Sequence, residues 1–398
     1  MLLATRLRLG GSFTDPVTYT LTSAQDGGWT HASDPHAVYS AGKTFFGYVD
    51  GSNGNIEVRS WDHTTHTASA SFSLHAALQV DSHAAPSLIV RPDGRLVAAY
   101  SAHDGATIYV RRSTNVADIS AWQTEQDLDA TLGGVDYTYP HLHYVGTTLY
   151  LFYRDFQGGT TGVLCYSTST DDGVTWSAQT QLYKSAGKSS YWKIDSDGSR
   201  IDIATTDGRD PPDSPPTKFY HFYIEGGTRK KSDGTTISTS LPIGPSDLTE
   251  VYNGGDGVGW PQDIVTSGAN PVLVYAVLDA PTTNSWRYAR WNGATWAKTA
   301  IASSAGTIES GFASHIVLDH AAANIAYAPT VVGSRWEMFR YISLDNGASW
   351  SGVALTHGSA ADHLLPTAIR NHPSDMTVLW LYGTYTSYLV FSFGILGR

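Results

Sequence analysis

Short apolar runs separated by tight turns recur along the chain, and the pattern is clearest in residues 81–154. Each unit there has a polar start, an apolar run, a turn, a second apolar run and a polar end, which is the pattern of a β-hairpin. In an antiparallel hairpin the start of the first strand and the end of the second lie side by side. The pattern therefore predicts that His83 and His103 share one rim, and that Tyr139 and Arg154 share it too.

The same hairpin pattern recurs seven times. Most of its starts are separated by about fifty residues, which suits four short strands per unit. A longer interval holds an inserted loop around residues 211–216. The repeats predict an all-β fold, a seven-bladed β-propeller with four-stranded antiparallel blades. The seven hairpins start near Asp34, His83, Tyr139, Tyr191, Trp260, Phe312 and His363.

The repeats predict one β-propeller domain spanning residues 1–398. Residues 1–16 are expected to be a leader segment without the apolar stretch of a secretory signal, and residues 34–393 to form the blades. A lone strand pattern at 17–25 precedes the first blade. We expect it to complete the seventh blade and close the ring, which would remove the open sheet edges.

Two turns match the pattern S-x-D-x-G-x-x-W, at residues 169–176 and 343–350, and residues 292–296 resemble a degenerate copy. This pattern is the Asp box of bacterial neuraminidase repeats. Its aspartate is expected to close a hairpin through backbone hydrogen bonds, and its tryptophan to pack between sheets. The motif favours a β-propeller and indicates little about chemistry.

Composition agrees with many short strands, because the chain has 39 Gly, 23 Tyr and 12 Trp but only 15% charged residues. The formal net charge of -11 and the absence of a basic stripe argue against nucleic acid as a partner. No stretch of the sequence is apolar and long enough to predict a membrane span. The protein is expected to be a monomer. The single cysteine, Cys165, lies in an apolar run and is expected to be a structural thiol. Because the net charge is negative, an anionic ligand would need a local site that carries positive charge.

In a propeller the innermost strands line a central channel, so residues at their ends converge on one face. Hydration of the channel mouth would explain a single polar residue there, but it explains a whole set of His, Tyr and Arg residues less well. Residues expected at this mouth are His36, His83, His103, Tyr139, His141, Arg154, Tyr191, Lys193, Arg209, Trp260, His315 and His363.

Histidine, tyrosine and arginine without many acids suit β-elimination on a uronate. Arginine pairs with the C5 carboxylate, a base removes the adjacent proton, and an acid protonates the O4 leaving group. A glycosidase instead needs two carboxylates. The chain has six glutamates, of which only one lies near an expected strand start. Hydrolysis remains an alternative through Asp34, Asp50, Asp155 and Asp207.

From Asp34 to about Phe393 the chain resembles the BNR-4 group of seven-bladed propellers, and within it the ulvan lyase families. The segments that carry the resemblance are Asp34–Tyr39, His83 with His103, Tyr139–Pro140 with Phe152–Arg154, Tyr191–Lys193, Thr206–Gly208 and Leu379–Tyr385. The resemblance implies that His83 and Tyr139 are the base and acid, in an order left open. It also implies that Arg154 and His103 neutralise the carboxylate.

The resemblance further implies that Tyr191 and Lys193 line the sugar subsites. Arg209 stands where His is expected in Thr-Asp-Gly-His-Pro, and His36 stands where Arg is common, so the contacts with substrate are expected to have diverged. Some relatives hold a structural metal ion. His141 and His143 are candidates for one here, but alternation along a strand explains the pair more simply. The set expected to bind substrate is His36, Tyr191, Lys193, Arg209, Trp260 and His315.

The resulting hypothesis is a lyase that needs no cofactor and cleaves an ulvan-like polymer of rhamnose with glucuronate or iduronate, leaving a 4,5-unsaturated uronate. One alternative is a sialidase-like glycoside hydrolase. Another is a non-catalytic glycan-binding propeller of a phage tail or cell surface. An extracellular, cell-surface or virion location is expected, because such polymers are met outside cells.

Overall fold

The computed structural model describes residues 17–22, 27–30, 32–208, 217–280, 283–308 and 315–398. Two short 3-10 helices, Ser82–Ala84 and Pro245–Asp247, and one α-helix, α1 (Asp129–Leu132), accompany the strands. No helix within these ranges is long and apolar enough to cross a membrane. The predicted all-β class is confirmed.

The strands are numbered in chain order. The first fourteen are β1 (Tyr19–Thr20), β2 (Ala37–Ser40), β3 (Lys43–Val49), β4 (Ile56–Asp62), β5 (Thr67–Ala68), β6 (Phe72–His75), β7 (Ser87–Val90), β8 (Leu96–Tyr100), β9 (Tyr109–Arg112), β10 (Gln126–Asp127), β11 (Tyr137–Val145), β12 (Thr148–Asp155), β13 (Val163–Ser169) and β14 (Thr180–Tyr183).

The numbering continues through the remaining sixteen strands. They are β15 (Trp192–Ser196), β16 (Arg200–Thr206), β17 (Phe219–Glu225), β18 (Thr228–Lys231), β19 (Thr249–Tyr252), β20 (Val258–Val265), β21 (Val272–Ala280), β22 (Thr283–Trp291), β23 (Trp296–Ala305), β24 (Val317–Leu318), β25 (Ile325–Val332), β26 (Arg335–Ile342), β27 (Ser351–Ala354), β28 (Asp362–Arg370), β29 (Val378–Ser387) and β30 (Val390–Gly397).

Neighbouring strands pair into antiparallel sheets, most of them four-stranded, as the hairpin repeats predict. These sheets are β7–β10, β11–β14, β20–β23 and β24–β27, while β15–β19 form a five-stranded sheet. A nine-stranded sheet joins β1 and β28–β30 to β2–β6 through parallel pairing of Ala37 with Ile369. This arrangement is consistent with a propeller. The number of blades and the closure of the ring stay predictions, as does the single domain over residues 1–398.

Burial falls from the first strand of a sheet to the last. Almost every residue of β11 and β20 is buried, whereas all four residues of β27 are exposed. Strands buried on both faces lie inside the molecule, and strands with exposed residues lie at its rim. The ends of the buried first strands are therefore where polar side chains from different sheets can meet.

The N-terminal strand pairs with the C-terminal one, as expected for residues 17–25, of which 23–25 lie outside the described residues. Tyr19 in β1 is opposite Gly397 in β30, and the Leu21 amide donates to the Ile395 carbonyl at 2.8 Å. Leu21 is buried in the same apolar cluster as Ile395 and Phe45. The two ends of the chain thus share one core.

Deleting residues 1–22 should lower the free energy of unfolding by roughly 3–5 kcal/mol, because it removes several buried backbone hydrogen bonds and the burial of Leu21. Urea unfolding followed by tryptophan fluorescence measures the change. Deletion of residues 1–16 is the matched control, since it leaves β1 in place. Equal stability of the two truncated proteins would show that β1 contributes nothing to the fold.

Candidate functional site

A β-bulge at the start of β11 places Tyr139 beside Arg154. Thr138 is opposite Arg154 in β12, and the register shifts between Thr138 and His141. Tyr139 has a positive φ of 59°, which is uncommon for a residue other than glycine. Because bulges redirect side chains, this one turns the Tyr139 ring towards the guanidinium, whose carbon lies 4.6 Å from the ring centroid.

The hairpin of β7 and β8 brings His83 and His103 into a stack. Their ring centroids are 4.1 Å apart with an interplanar angle of 20°. One buried carboxylate holds both rings, because Asp81 Oδ1 lies 2.6 Å from His83 Nδ1 and Asp81 Oδ2 lies 3.1 Å from His103 Nδ1. Asp81 also caps the 3-10 helix by accepting the His83 backbone N–H at 2.9 Å.

The two pairs of residues form one cluster. The Tyr139 ring centroid lies 5.5 Å from that of His83 and 6.3 Å from that of His103. The four residues expected to be catalytic are therefore neighbours, with Tyr139 between the imidazole pair and Arg154. The imidazoles are partly exposed, at 14% and 21% of their side chains, so they connect the buried phenol to the surface.

Arg154 lies at the floor of this cluster. Its side chain is 4% exposed and its guanidinium carbon is 4.6 Å from the ring centroids of Tyr139 and Phe156. Nη2 donates to Asp104 Oδ1 at 3.2 Å, while no acceptor among the described residues reaches the buried Nε. The Nε–H of Arg154 is thus buried without an acceptor among the described residues, and the charge of the guanidinium lies against the Tyr139 ring.

Burial determines the protonation of the neighbours at neutral pH. Burial lowers the pKa of His83 below its usual 6.5, and the charges of His103 and Arg154 act in the same direction, against Asp81. Burial raises the pKa of Tyr139 well above its usual 10, and the Arg154 charge only partly opposes it. His83 is therefore a neutral imidazole that can accept a proton, and Tyr139 is a phenol that can donate one.

Sequence reasoning missed Asp81, Asp104, Phe156 and Tyr388. Tyr388 lies in the turn between β29 and β30, and its ring meets His83 edge-on with centroids 4.9 Å apart. Its carbonyl accepts the Ser82 amide at 2.9 Å. Asp81 had a local signal, since it stands two residues before His83. Nothing in the local sequence points to Tyr388, which reaches the site from the last sheet.

Two of the six residues expected to bind substrate adjoin the cluster, although whether they contact sugar stays a prediction. The Tyr191 ring is partly exposed and lies 6.1 Å from that of Tyr139, and the Arg154 guanidinium carbon lies 5.7 Å from it. Trp260 packs edge-on against Tyr191 with ring centroids 5.0 Å apart, but it is 1% exposed. Arg209 lies outside the described residues. Tyr191 is therefore the best placed of the five that the structure describes.

The other three are buried and held by the protein itself. Lys193 pairs with Asp34, and the nitrogens of His36 lie 3.1 Å from the Pro86 carbonyl and 3.2 Å from the Thr30 carbonyl. His315 Nε2 lies 3.4 Å from the Gln262 carbonyl. This arrangement uses their polar atoms inside the fold rather than at an open surface. A direct contact between any of them and a sugar stays a prediction without support from this geometry.

The described residues contain one group of three side chains with metal-ligand atoms close together, Asp81, His83 and His103, whose atoms lie within 4.8 Å. Both Nδ1 atoms there already face the Asp81 oxygens at hydrogen-bonding distance, which competes with a metal. The rings of His141 and His143 are 6.4 Å apart, and His141 Nε2 lies 2.9 Å from the Ala32 carbonyl. A structural metal at His141 and His143 stays a prediction.

A second charged cluster surrounds a cavity of about 510 Å³ at the opposite ends of β11, β15, β20 and β28. Arg370 pairs with Asp195 at 3.1 Å, and His320 with Asp263 at 3.1 Å. Although burial and Arg370 oppose it, these carboxylates raise the pKa of His320 to about 9. The charges balance one another, so the described residues around this cavity leave no spare cation for an acidic ligand.

Each of the four aspartates that could serve a hydrolase has its own hydrogen-bond or ion-pair partner. Asp34 pairs with Lys193, Asp155 accepts the Gln157 amide at 2.8 Å, and Asp207 accepts the Lys218 amide at 3.1 Å. Asp50 accepts the Ser52 amide at 2.8 Å within its turn. Each of these four carboxylates is thus held by its own partner, whereas a glycosidase needs two carboxylates that face one bond.

Comparison with known proteins gives a family and a fold. The sequence model described as BNR repeat-containing family member matches residues 43–304. An ulvan lyase structure of family PL25, bound to -[GlcA(1-4)Rha3S]-, has a TM-score of 0.71 at 15% identity over 95% of this chain and 94% of that one. The polysaccharide lyase Uly1 has a TM-score of 0.59 at 13% identity over 94% and 92%. No curated protein sequence matches.

Proposed function

The chain belongs to the BNR repeat-containing family, and from that premise we propose that it is a polysaccharide lyase acting on a uronate-containing acidic polysaccharide. The observation that carries the proposal is the cluster of Arg154, Tyr139, His83 and His103 at one end of the buried strands. It joins a cation, a neutral base and a protonated phenol. Those are the three functions that β-elimination on a uronate requires.

The proposed reaction breaks two bonds and forms one double bond. The Arg154 guanidinium binds the C5 carboxylate and stabilises the negative charge that develops there. His83 Nε2 takes the proton from C5, the electron pair forms the C4=C5 bond, and the C4–O4 bond breaks. The Tyr139 hydroxyl then gives its proton to O4. Proton exchange with water restores both side chains.

The proposed substrate is a polymer of rhamnose with glucuronate or iduronate. A PL25 ulvan lyase of similar fold was solved with -[GlcA(1-4)Rha3S]- bound, which makes that polymer the first one to test. The fold is proposed to be a seven-bladed propeller in which β1 completes the last blade. We also propose that the protein acts as a monomer, outside the cell or on a cell or virion surface.

The direct test is to incubate the purified protein with a panel of acidic polysaccharides and follow ultraviolet absorbance. A 4,5-unsaturated uronate absorbs in the ultraviolet, whereas a hydrolase produces reducing ends without that absorbance. A rise with ulvan or another uronate polymer supports the lyase. New reducing ends without absorbance would indicate hydrolysis, and binding without any product would indicate a glycan-binding propeller.

Tyr191→Ala should raise KM on the productive polymer by about tenfold and change kcat much less. Its partly exposed ring lies beside Arg154 and offers a flat surface to a sugar, and loss of such a contact costs about 1–2 kcal/mol. Steady-state kinetics over a range of polymer concentrations measures both constants. Tyr39→Ala, at another partly buried tyrosine, is the control. An unchanged KM would remove Tyr191 from the proposed subsite.

A further inference from the structure

We infer that Asp81 is a positioning residue that fixes both imidazoles with hydrogen on Nδ1, so that His83 and His103 present two unprotonated Nε2 atoms side by side. The catalytic consequence rests on the proposed function, whereas the tautomers themselves do not. Neither the family match nor the likeness of fold assigns a role to this aspartate.

The geometry leaves little choice of tautomer. Asp81 is 1% exposed, and its two oxygens face His83 Nδ1 at 2.6 Å and His103 Nδ1 at 3.1 Å. An ionised carboxylate only accepts hydrogen bonds, so each of these nitrogens must donate. Burial opposes ionisation, but hydrogen bonds from His103 and His83 outweigh it and hold the pKa of Asp81 well below its usual range. Each neutral ring then has its lone pair on Nε2.

Asp81→Asn is the discriminating variant. The amide oxygen can still accept the His83 backbone N–H and so cap the short helix, but the NH2 group donates and cannot accept a second Nδ1–H. The amide oxygen replaces Oδ1, which faces both the backbone N–H and Nδ1 of His83, so the NH2 group faces His103 and that ring must move its hydrogen to Nε2. We expect kcat to fall by about 10²–10⁴-fold, the range that general-base catalysis contributes, because a neutral amide no longer balances the charge that His83 gains with the C5 proton. KM should change less than about threefold because Arg154 is untouched.

Long-range 1H–15N NMR of histidine-labelled protein reads the tautomers directly, with the signals assigned from His83→Asn and His103→Asn. In the unmodified protein at neutral pH both rings should show hydrogen on Nδ1, and in Asp81→Asn the His103 ring should change. Asp118→Asn is the matched control. It makes the same substitution at a partly exposed aspartate that accepts the Ser120 amide at 2.8 Å and lies outside the cluster.

The results separate the inference from the proposed function. Hydrogen on Nε2 of either ring in the unmodified protein would overturn the inference, even if Asp81→Asn failed to fold. So would a folded Asp81→Asn protein with unchanged tautomers and kcat. If the expected tautomers appeared in a protein that released no unsaturated product from any uronate polymer, the proposed function would fail while the positioning role of Asp81 stood.

Discussion

Arg154→Ala is expected to lower kcat/KM on a uronate polymer by about 10³-fold or more. The change removes the only guanidinium that the described residues bring to the cluster, and with it the charge that stabilises the carboxylate as negative charge develops. Such an effect is usually worth about 10²–10³-fold for a single neutral donor. A charged, buried donor should contribute at least as much. Initial rates of ultraviolet absorbance increase, measured below saturation, give the ratio.

Two further variants show whether charge or shape matters at this position. Arg154→Lys keeps the charge but loses the planar fork, so we expect an intermediate loss of about 10²-fold. Arg95→Ala is the matched control, because that side chain is 40% exposed and pairs with Asp93 in a turn. Asp104 is almost half exposed and stays hydrated without its partner, so folding should survive. An Arg154→Ala protein that kept a tenth of its activity would contradict the proposed role.

The hairpin repeats predicted which residues could meet, because pairing in a hairpin is local. His83 and His103 come from the two sides of one hairpin, and they stack in the structure. Tyr139 and Arg154 likewise come from the paired strands β11 and β12. In both cases the partners are at most twenty residues apart, so the polarity pattern and the antiparallel rule were enough.

The same reasoning could not tell which polar ends would be buried. Lys193 occupies the same kind of position as Tyr139, but it pairs with Asp34, which is 159 residues away in the sequence. His36 and His315 are satisfied by backbone carbonyls that no periodicity identifies. Contacts between different sheets depend on how the sheets are placed relative to one another, and a repeat pattern does not encode the identity of each neighbour.

The likeness of fold and the cluster support different parts of the conclusion. Similar folds host different reactions, and 15% identity to a PL25 ulvan lyase carries the fold alone. The chemistry is argued from this chain's own residues: the Arg154 cation, a neutral His83 and a protonated Tyr139. The tests with variants therefore decide the function independently of the comparison.

His83→Asn is expected to lower kcat by about 10²–10⁴-fold, because it removes the proposed base while leaving Arg154 and Tyr139 in place. His66→Asn is the matched control, since His66 is exposed and its positive φ of 54° suits asparagine. If His83→Asn reacted as fast as His66→Asn, His103 or another group would have to be the base.

The pH dependence gives a second measure of the same assignment. The base must be neutral, and burial holds the pKa of His83 below 6.5, so kcat/KM should be constant at neutral pH and fall only below about 6.5 as the ring takes up a proton. The acid must be protonated, and burial raises the pKa of Tyr139 well above 10, so no loss is expected up to about pH 9. An acid limb with its midpoint above 6.5 would contradict a buried His83 as base. A basic limb near neutral pH would contradict Tyr139 as acid, because a phenol in this setting keeps its proton there.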